Sequence, residues 1–90
     1  MLPEEKNTID KKKKDFSKLR DKKKLTLKDA EKLTSDLSIL LGIYATNKIK
    51  ELERLITSMI DFGKSKQWAV QGSIIAFNRL KKGQLKVKRV

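Results

Sequence analysis

The stretch TLKDAEKLTSDLSILLGIY, residues 26–44, decides the fold. It opens with a Ser/Thr-x-x-Asp/Glu pattern, in which Thr26 and Asp29 each bond the other residue's backbone amide and start a helix. Apolar residues then follow in steps of three and four over five turns, the spacing of one helix face. Gly42 interrupts this face, which indicates either close packing against another backbone or a weak point. The stretch predicts a long amphipathic helix.

A second amphipathic pattern follows at residues 49–60, with apolar residues in steps of three and four and charged residues between them. Thr46 and Asn47 are good N-cap residues, so either a new helix starts there or the first one continues and bends. Gly63 suits the C′ position that ends a helix, because glycine readily adopts the left-handed conformation.

The last predicted helix begins after Ser65, a candidate cap, and ends at Gly83. Its apolar face is predicted to contain Trp68, Ile74, Ile75, Phe77 and Leu80. We interpret Trp68 as a core anchor on the same face as Ile75, since a tryptophan at this place in an amphipathic helix packs inside more often than it stacks on a nucleobase.

The N-terminal stretch IDKKKKDFSKLRDKKKL, residues 9–25, is dominated by positive charge. A helix is predicted to start near Thr8, with a thin apolar stripe of Ile9, Phe16 and Leu19 on one side. The four consecutive lysines repel one another and lower the intrinsic stability of that helix. We therefore predict that this segment is helical only conditionally and orders on a partner.

Together these patterns predict an all-α protein, a small bundle of three to four helices with a basic N-terminal helical arm and a basic C-terminal tail. The predicted boundaries are residues 1–25 for the arm, 26–83 for the helical core domain and 84–90 for the tail. A chain of 90 residues buries a limited core. A homodimer, or a protein partner on the apolar helix faces, is therefore expected.

Charge is distributed unevenly along the chain, whose net charge is +12. Residues 11–24 carry nine basic and two acidic side chains, and residues 64–90 carry eight basic and no acidic ones. The middle, residues 25–63, is nearly neutral, with five basic and six acidic side chains. Such a layout is typical of a folding core with two basic ends that meet a polyanion.

Several function classes are excluded by composition. Cysteine and histidine are both absent, which excludes disulfides, zinc sites and histidine-based acid–base catalysis. The carboxylates are scattered among basic neighbours, the serines lack a base, and no glycine-rich phosphate loop is present. The sequence therefore predicts no enzyme, cofactor or metal. With no apolar leader or membrane-length stretch, we expect a cytoplasmic protein with at most peripheral membrane contact.

The basic ends predict nucleic-acid binding, with duplex DNA favoured over RNA, mainly through phosphates. Few aromatic residues are interleaved with the lysines, which argues against a stacking platform for single strands. The alternative is a helical protein-interaction module (an adaptor, inhibitor or immunity-type protein) whose basic surface meets an acidic protein or an anionic membrane. The candidate nucleic-acid-binding residues are Lys11, Lys12, Lys13, Lys14, Lys18, Arg20, Lys22, Lys23, Lys24, Arg79, Lys81, Lys82, Lys86, Lys88 and Arg89.

Three segments, LGIYATN, LERLITSMIDF and WAVQGSIIAF, follow one another in an order that resembles the small TraD/MobC-type accessory proteins of conjugative and mobilisable elements. The resemblance covers roughly residues 11–77: a basic lead helix, a segment containing Gly42, a Leu-rich helix over residues 52–59, and a W-x-x-x-G element at Trp68 and Gly72. It implies a relaxosome protein that binds DNA at a transfer origin and assists a relaxase.

Overall fold

Four α-helices make up the part of the chain that the computed structural model describes, residues 1–83. They are α1 (Pro3–Asp21), α2 (Leu27–Thr46), α3 (Lys50–Ser65) and α4 (Gln71–Lys81). No strand occurs between residues 1 and 83, which confirms the all-α prediction. The predicted basic tail, residues 84–90, lies outside the described residues.

Helix α2 begins with the predicted capping box. The Asp29 amide donates to Thr26 Oγ1 at 3.3 Å, and the Thr26 amide donates to Asp29 Oδ2 at 2.8 Å. The helix runs through Gly42 and ends at Thr46. A Cβ added at Gly42 would meet nothing within 4 Å, so this glycine marks no close approach between helices. Asn47 closes α2, and α3 is a separate helix that begins three residues later.

The sequence predicts that Gly63 ends α3, but the helix continues to Ser65. The left-handed position lies four residues after Gly63. Gln67 has φ 62°; the Trp68 amide donates to Gly63 O at 2.9 Å and the Gln67 amide to Lys64 O at 3.0 Å. These two bonds form a Schellman cap with a glutamine in the usual glycine position. Gly63 instead allows α2 and the segment before α4 to approach α3 closely. A Cβ at Gly63 would lie 3.1 Å from Leu33 Cδ2 and 2.7 Å from Val70 Cγ1.

Helix α1 starts five residues before Thr8, where the sequence predicted its beginning. Pro3 occupies the first turn, where its fixed φ suits a helix start. The Leu2 amide donates to Glu5 Oε1 at 3.0 Å, which satisfies a free amide at the helix end. Thr8 lies inside the helix, and its hydroxyl donates to Glu4 O at 2.9 Å.

Helix α4 is shorter than predicted, because Ser65 belongs to the last turn of α3 and Trp68 lies in the connection between the two helices. Trp68 is partly buried and packs on the core, with its ring centroid 5.6 Å from that of Phe62. Ile75 does not share this side, since it is 44% exposed. The predicted inward positions Phe77 and Leu80 are buried.

Contacts at both ends show that α1 and α2 run antiparallel. Asn47 Nδ2 donates to Glu5 Oε1 at 3.1 Å at one end, and Lys22 Nζ lies 2.9 Å from Asp29 Oδ1 at the other. Near the Asn47 end, Lys48 Nζ donates to the carbonyl oxygen of Leu80 at 2.6 Å. The C-terminal end of α4 therefore lies at the same end of the bundle as the first turn of α1.

One core unites all four helices, and α1 contributes the predicted stripe of Ile9, Phe16 and Leu19 to it. The structure thus places part of the predicted arm inside the core. Whether the segment becomes helical only on a partner stays a prediction. The other buried apolar residues are Leu33, Leu37, Leu40, Leu41, Ile43, Tyr44, Leu52, Leu55, Ile56, Met59, Ile60, Val70, Phe77 and Leu80.

Tyr44 gives this core a predictable response to alkali. It is 1% exposed and donates its hydroxyl to Glu53 Oε2 at 2.5 Å. Burial and the Glu53 carboxylate raise its pKa from 10.0 to about 12. Because the folded state keeps the phenol protonated to higher pH than the unfolded chain does, this contribution to stability is complete below about pH 10 and is lost as pH rises to about 12.

We therefore expect Tyr44→Phe to flatten the alkaline loss of stability. The free energy of unfolding, measured by urea titration with circular dichroism at several pH values, should fall more steeply between about pH 10 and 12 in the parent than in the variant. Charge changes that are common to the parent and the variant cancel in the comparison. Equal slopes would contradict the buried state of the hydroxyl.

Candidate nucleic-acid interface

Helical geometry divides the lysines of α1 into two sets. At 3.6 residues per turn, consecutive residues lie about 100° apart around the axis, so the run from Lys11 to Lys14 does not form one surface. Lys12 and Lys13 turn toward α2 and α3, where they meet carboxylates. Lys11 and Lys14 are exposed to solvent.

Lys12 belongs to a largely buried ionic cluster between α1 and α2. Its Nζ lies 2.9 Å from Asp36 Oδ1, and the two side chains are only 14% and 7% exposed. From the solvent side, Lys32 Nζ lies 3.0 Å from Asp36 Oδ2 and 3.2 Å from Asp15 Oδ2. The hydrogen bond to Asp36 raises the pKa of Lys32. The cluster joins the two helices and leaves Lys12 unable to reach a ligand without breaking it.

Two further predicted site lysines are held by carboxylates at the surface. Lys13 pairs with Glu51 at the start of α3, and this contact lowers the pKa of Glu51. Lys22 Nζ lies 2.9 Å from both carboxylate oxygens of Asp29. This contact lowers the pKa of Asp29, and the hydrogen bond from the Thr26 amide lowers it further by a smaller amount. Exposed pairs of this kind are worth little energy. They nevertheless compete with any external anion for the two lysines.

The second set, which we call the outer lysine stripe, consists of Lys11, Lys14 and Lys18. All three are exposed, and their steps of three and four residues place them on the side of α1 away from Ile9, with Lys18 at the edge nearest α2. They span about 10 Å along the helix axis at 1.5 Å per residue. Within residues 1–83, none of them has a carboxylate within ion-pair distance. Lys23 and Lys24 extend this positive surface into the exposed α1–α2 connection.

Arg20 and the α4 cations are also exposed, but two of these side chains rest on aromatic rings. Arg20 Cζ lies 4.9 Å from the centroid of the Phe16 ring, and Lys81 Nζ lies 4.5 Å from that of Phe77. Cation–π contacts at exposed sites contribute about 0.5–1 kcal/mol and leave the polar head accessible. Arg79 and Lys82 are exposed on the same helix as Lys81.

The structure does not bring the two predicted basic groups together. Lys18 to Lys24 lie at the end of the bundle where α1 connects to α2, whereas the last turn of α4 lies at the opposite end, beside Lys48. The remaining predicted site residues, Lys86, Lys88 and Arg89, lie outside the described residues.

Sequence reasoning missed two further exposed cations on α3. Lys50 and Arg54 are one turn apart and line a shallow depression with Lys13 and Ser58. They lie in the nearly neutral middle of the chain, where acidic side chains offset their positive charge in a count of net charge. The i, i+4 spacing of Lys50 and Arg54 was the available signal.

Two features are absent from residues 1–83. No group of three or more carboxylates is arranged to hold a metal ion in that range. No helix there is long and apolar enough to span a bilayer.

Comparison with models of known protein families, with curated protein sequences and with solved structures finds no match. The resemblance to the accessory proteins of conjugative elements therefore stays an expectation from the sequence.

Proposed function

We propose that this protein binds nucleic acid, duplex DNA in preference to RNA, through phosphate contacts made by the outer lysine stripe together with Lys23 and Lys24. The observation that carries the proposal is the division of the α1 lysines: three of them form an exposed row with no carboxylate beside it in residues 1–83. A row of unneutralised ammonium groups attracts a polyanion and releases its counterions.

The lysines that do not face outward hold this row in place. Lys12 binds Asp36 on α2 and Lys13 binds Glu51 on α3, so α1 is tied to two helices on the side away from the stripe. A helix fixed in this way presents its cations without a further ordering cost, which favours binding. The conditional order predicted from the sequence is the competing account of the same helix.

Little sequence specificity is expected from this surface. Lysine acts on phosphate as a point charge, and phosphate contacts carry no base information directly. Arginine is the side chain best suited to bidentate recognition of guanine. The described arginines lie at the end of α1 or on other helices, away from the stripe's centre: Arg20, Arg54 and Arg79. The α4 cations Arg79, Lys81 and Lys82 would contact a second stretch of backbone at the other end of the bundle.

Binding to nucleic acid is compatible with two biological roles for this protein. A non-enzymatic, cytoplasmic accessory factor in DNA transfer, acting as a homodimer or beside a protein partner, is the role that the sequence resemblance suggests. A protein-interaction module that meets an acidic protein or membrane surface is the alternative, because an ammonium group attracts carboxylates as well as phosphates.

The test compares two triple variants of equal charge. Lys11→Gln/Lys14→Gln/Lys18→Gln removes the stripe, and Lys28→Gln/Lys50→Gln/Lys64→Gln removes three exposed lysines on α2 and α3. Filter-binding titrations of a duplex over a range of salt should show that the first variant loses about three units of log–log salt slope, at about 0.9 per phosphate contact. The second should keep most of the parent slope.

Two outcomes would contradict the proposal. Equal losses in both variants would mean that net charge, and not this stripe, governs binding. An absence of duplex binding by the parent at about 0.15 M salt would favour the protein-interaction alternative. Replacing the duplex sequence should change the affinity little in the parent and in both variants.

A further inference from the structure

A cavity of about 190 Å³ lies between the second half of α1 and the first half of α2. Its floor is apolar and consists of Phe16, Leu19, Leu33 and Met59, four residues that are otherwise part of the core. An engineered apolar cavity of about 150 Å³ is large enough to hold benzene. This one is therefore large enough for an apolar group of about six carbons.

The rim of the cavity is charged, and all but one of its charges are paired. Lys32 and Lys12 together offset Asp36 and Asp15, since Lys32 contacts both carboxylates and Lys12 Nζ lies 2.9 Å from Asp36 Oδ1, and Asp29 is paired with Lys22. Lys18 also lines the cavity, and within residues 1–83 no carboxylate lies within ion-pair distance of its ammonium group. One positive charge is thus left over at the mouth of an apolar space.

We propose that this cavity binds a small amphiphilic monoanion, an unbranched aliphatic carboxylate of about six carbons, with its chain on the floor and its carboxylate on Lys18. Burial of the chain removes apolar area from water, and the single charge meets the one rim cation that has no other described partner. The second charge of a dianion would be repelled by the rim aspartates, and a cationic head group would be repelled by Lys18. The proposal does not depend on nucleic-acid binding.

Affinity should depend on chain length until the cavity is full. Each buried methylene contributes ~0.8 kcal/mol, which is about a fourfold gain in affinity. Butanoate, pentanoate and hexanoate should therefore bind progressively more tightly, and decanoate should gain no further fourfold steps beyond the filled length. Hexanol, which has the same chain without the charge, should bind more weakly than hexanoate.

The two methionines provide a readout with an internal control. Met59 lines the cavity, whereas Met1 is 55% exposed and lies at the other end of α1. In ¹³C-methyl-methionine spectra, hexanoate should shift the Met59 signal in a saturable way and leave Met1 unchanged. Absence of a Met59 shift at tens of millimolar hexanoate, or equal shifts of both signals, would overturn the proposal.

Two neighbouring variants separate this site from the nucleic-acid surface. Lys18→Gln should weaken hexanoate binding about tenfold or more and leave hexanol binding unchanged, while Lys14→Gln, which does not line the cavity, should leave hexanoate binding as in the parent. Equal hexanoate affinity of the two variants would overturn the assigned role of Lys18. Lys14→Gln should still weaken duplex binding, so either proposal can fail without the other.

Discussion

Phe16→Ala is expected to lower the free energy of unfolding by about 3–5 kcal/mol, the usual cost of removing a buried phenylalanine ring. Phe16 is 5% exposed, and its ring meets that of Phe62 edge to face with 5.7 Å between centroids. Phe62 in turn meets Trp68 in the same manner at 5.6 Å. Loss of the first ring therefore removes the contact that joins α1 to the end of α3.

Urea denaturation followed by far-ultraviolet circular dichroism measures this effect, with Ser17→Ala as the matched control. Ser17 is the next residue of the same helix and is exposed, so its replacement should leave the free energy of unfolding within about 0.5 kcal/mol of the parent value. An unchanged midpoint for Phe16→Ala in the free protein would contradict the docked position of α1. It would support the prediction that the segment orders only on a partner.

The position of α1 shows what periodicity can predict. Spacing alone predicts a buried stripe of Ile9, Phe16 and Leu19, and all three are buried. The same spacing also contains the division of the lysines. Lys12 lies three residues after Ile9 and four before Phe16, which places it on the buried side. Charge alone predicts that the four lysines form one binding group, whereas their helical phase divides them.

The identity of the residue that Lys12 meets could not be predicted in this way. Asp36 shares the inward face of α2 with Leu33, Leu37 and Leu40. The only partner that sequence spacing indicates for it is Lys32, four residues earlier on the same helix. Lys12 lies on another helix, and its contact with Asp36 depends on how α1 is aligned along α2. That alignment is a property of the packed bundle.

The glycines illustrate the same limit. Gly42 interrupts an apolar face and looked significant, yet it is exposed with open space beside it. The sequence predicts Gly63 as a helix end, yet Gly63 lies within α3 and is buried against Val70 and Leu33. A glycine has the same local signature in each case, and only the neighbouring elements distinguish a close approach from an open surface.

Asp36→Ala is expected to destabilise the protein by about 3–5 kcal/mol, as is usual when one partner of a buried ion pair is removed. The replacement leaves the Lys12 ammonium in a place where its side chain is only 14% exposed. Lys32 also loses a carboxylate, but it is half exposed and keeps Asp15 at 3.2 Å. The main cost is therefore the unpaired charge on Lys12. Urea denaturation of the single variant measures the total.

A double-mutant cycle with Lys12→Met isolates that cost. In the parent, Lys12→Met should destabilise less than Asp36→Ala does, because Asp36 keeps Lys32 at 3.0 Å. In the Asp36→Ala background the same replacement removes the unpaired ammonium and should be neutral or stabilising, since an apolar pair tolerates burial. The two effects should differ by a coupling energy of about 0.5–3 kcal/mol. Strict additivity would mean that the Lys12 ammonium reaches water in both states and that the ion pair does not hold α1 on α2. The stripe of Lys11, Lys14 and Lys18 would then lack the fixed helix on which its proposed binding role depends.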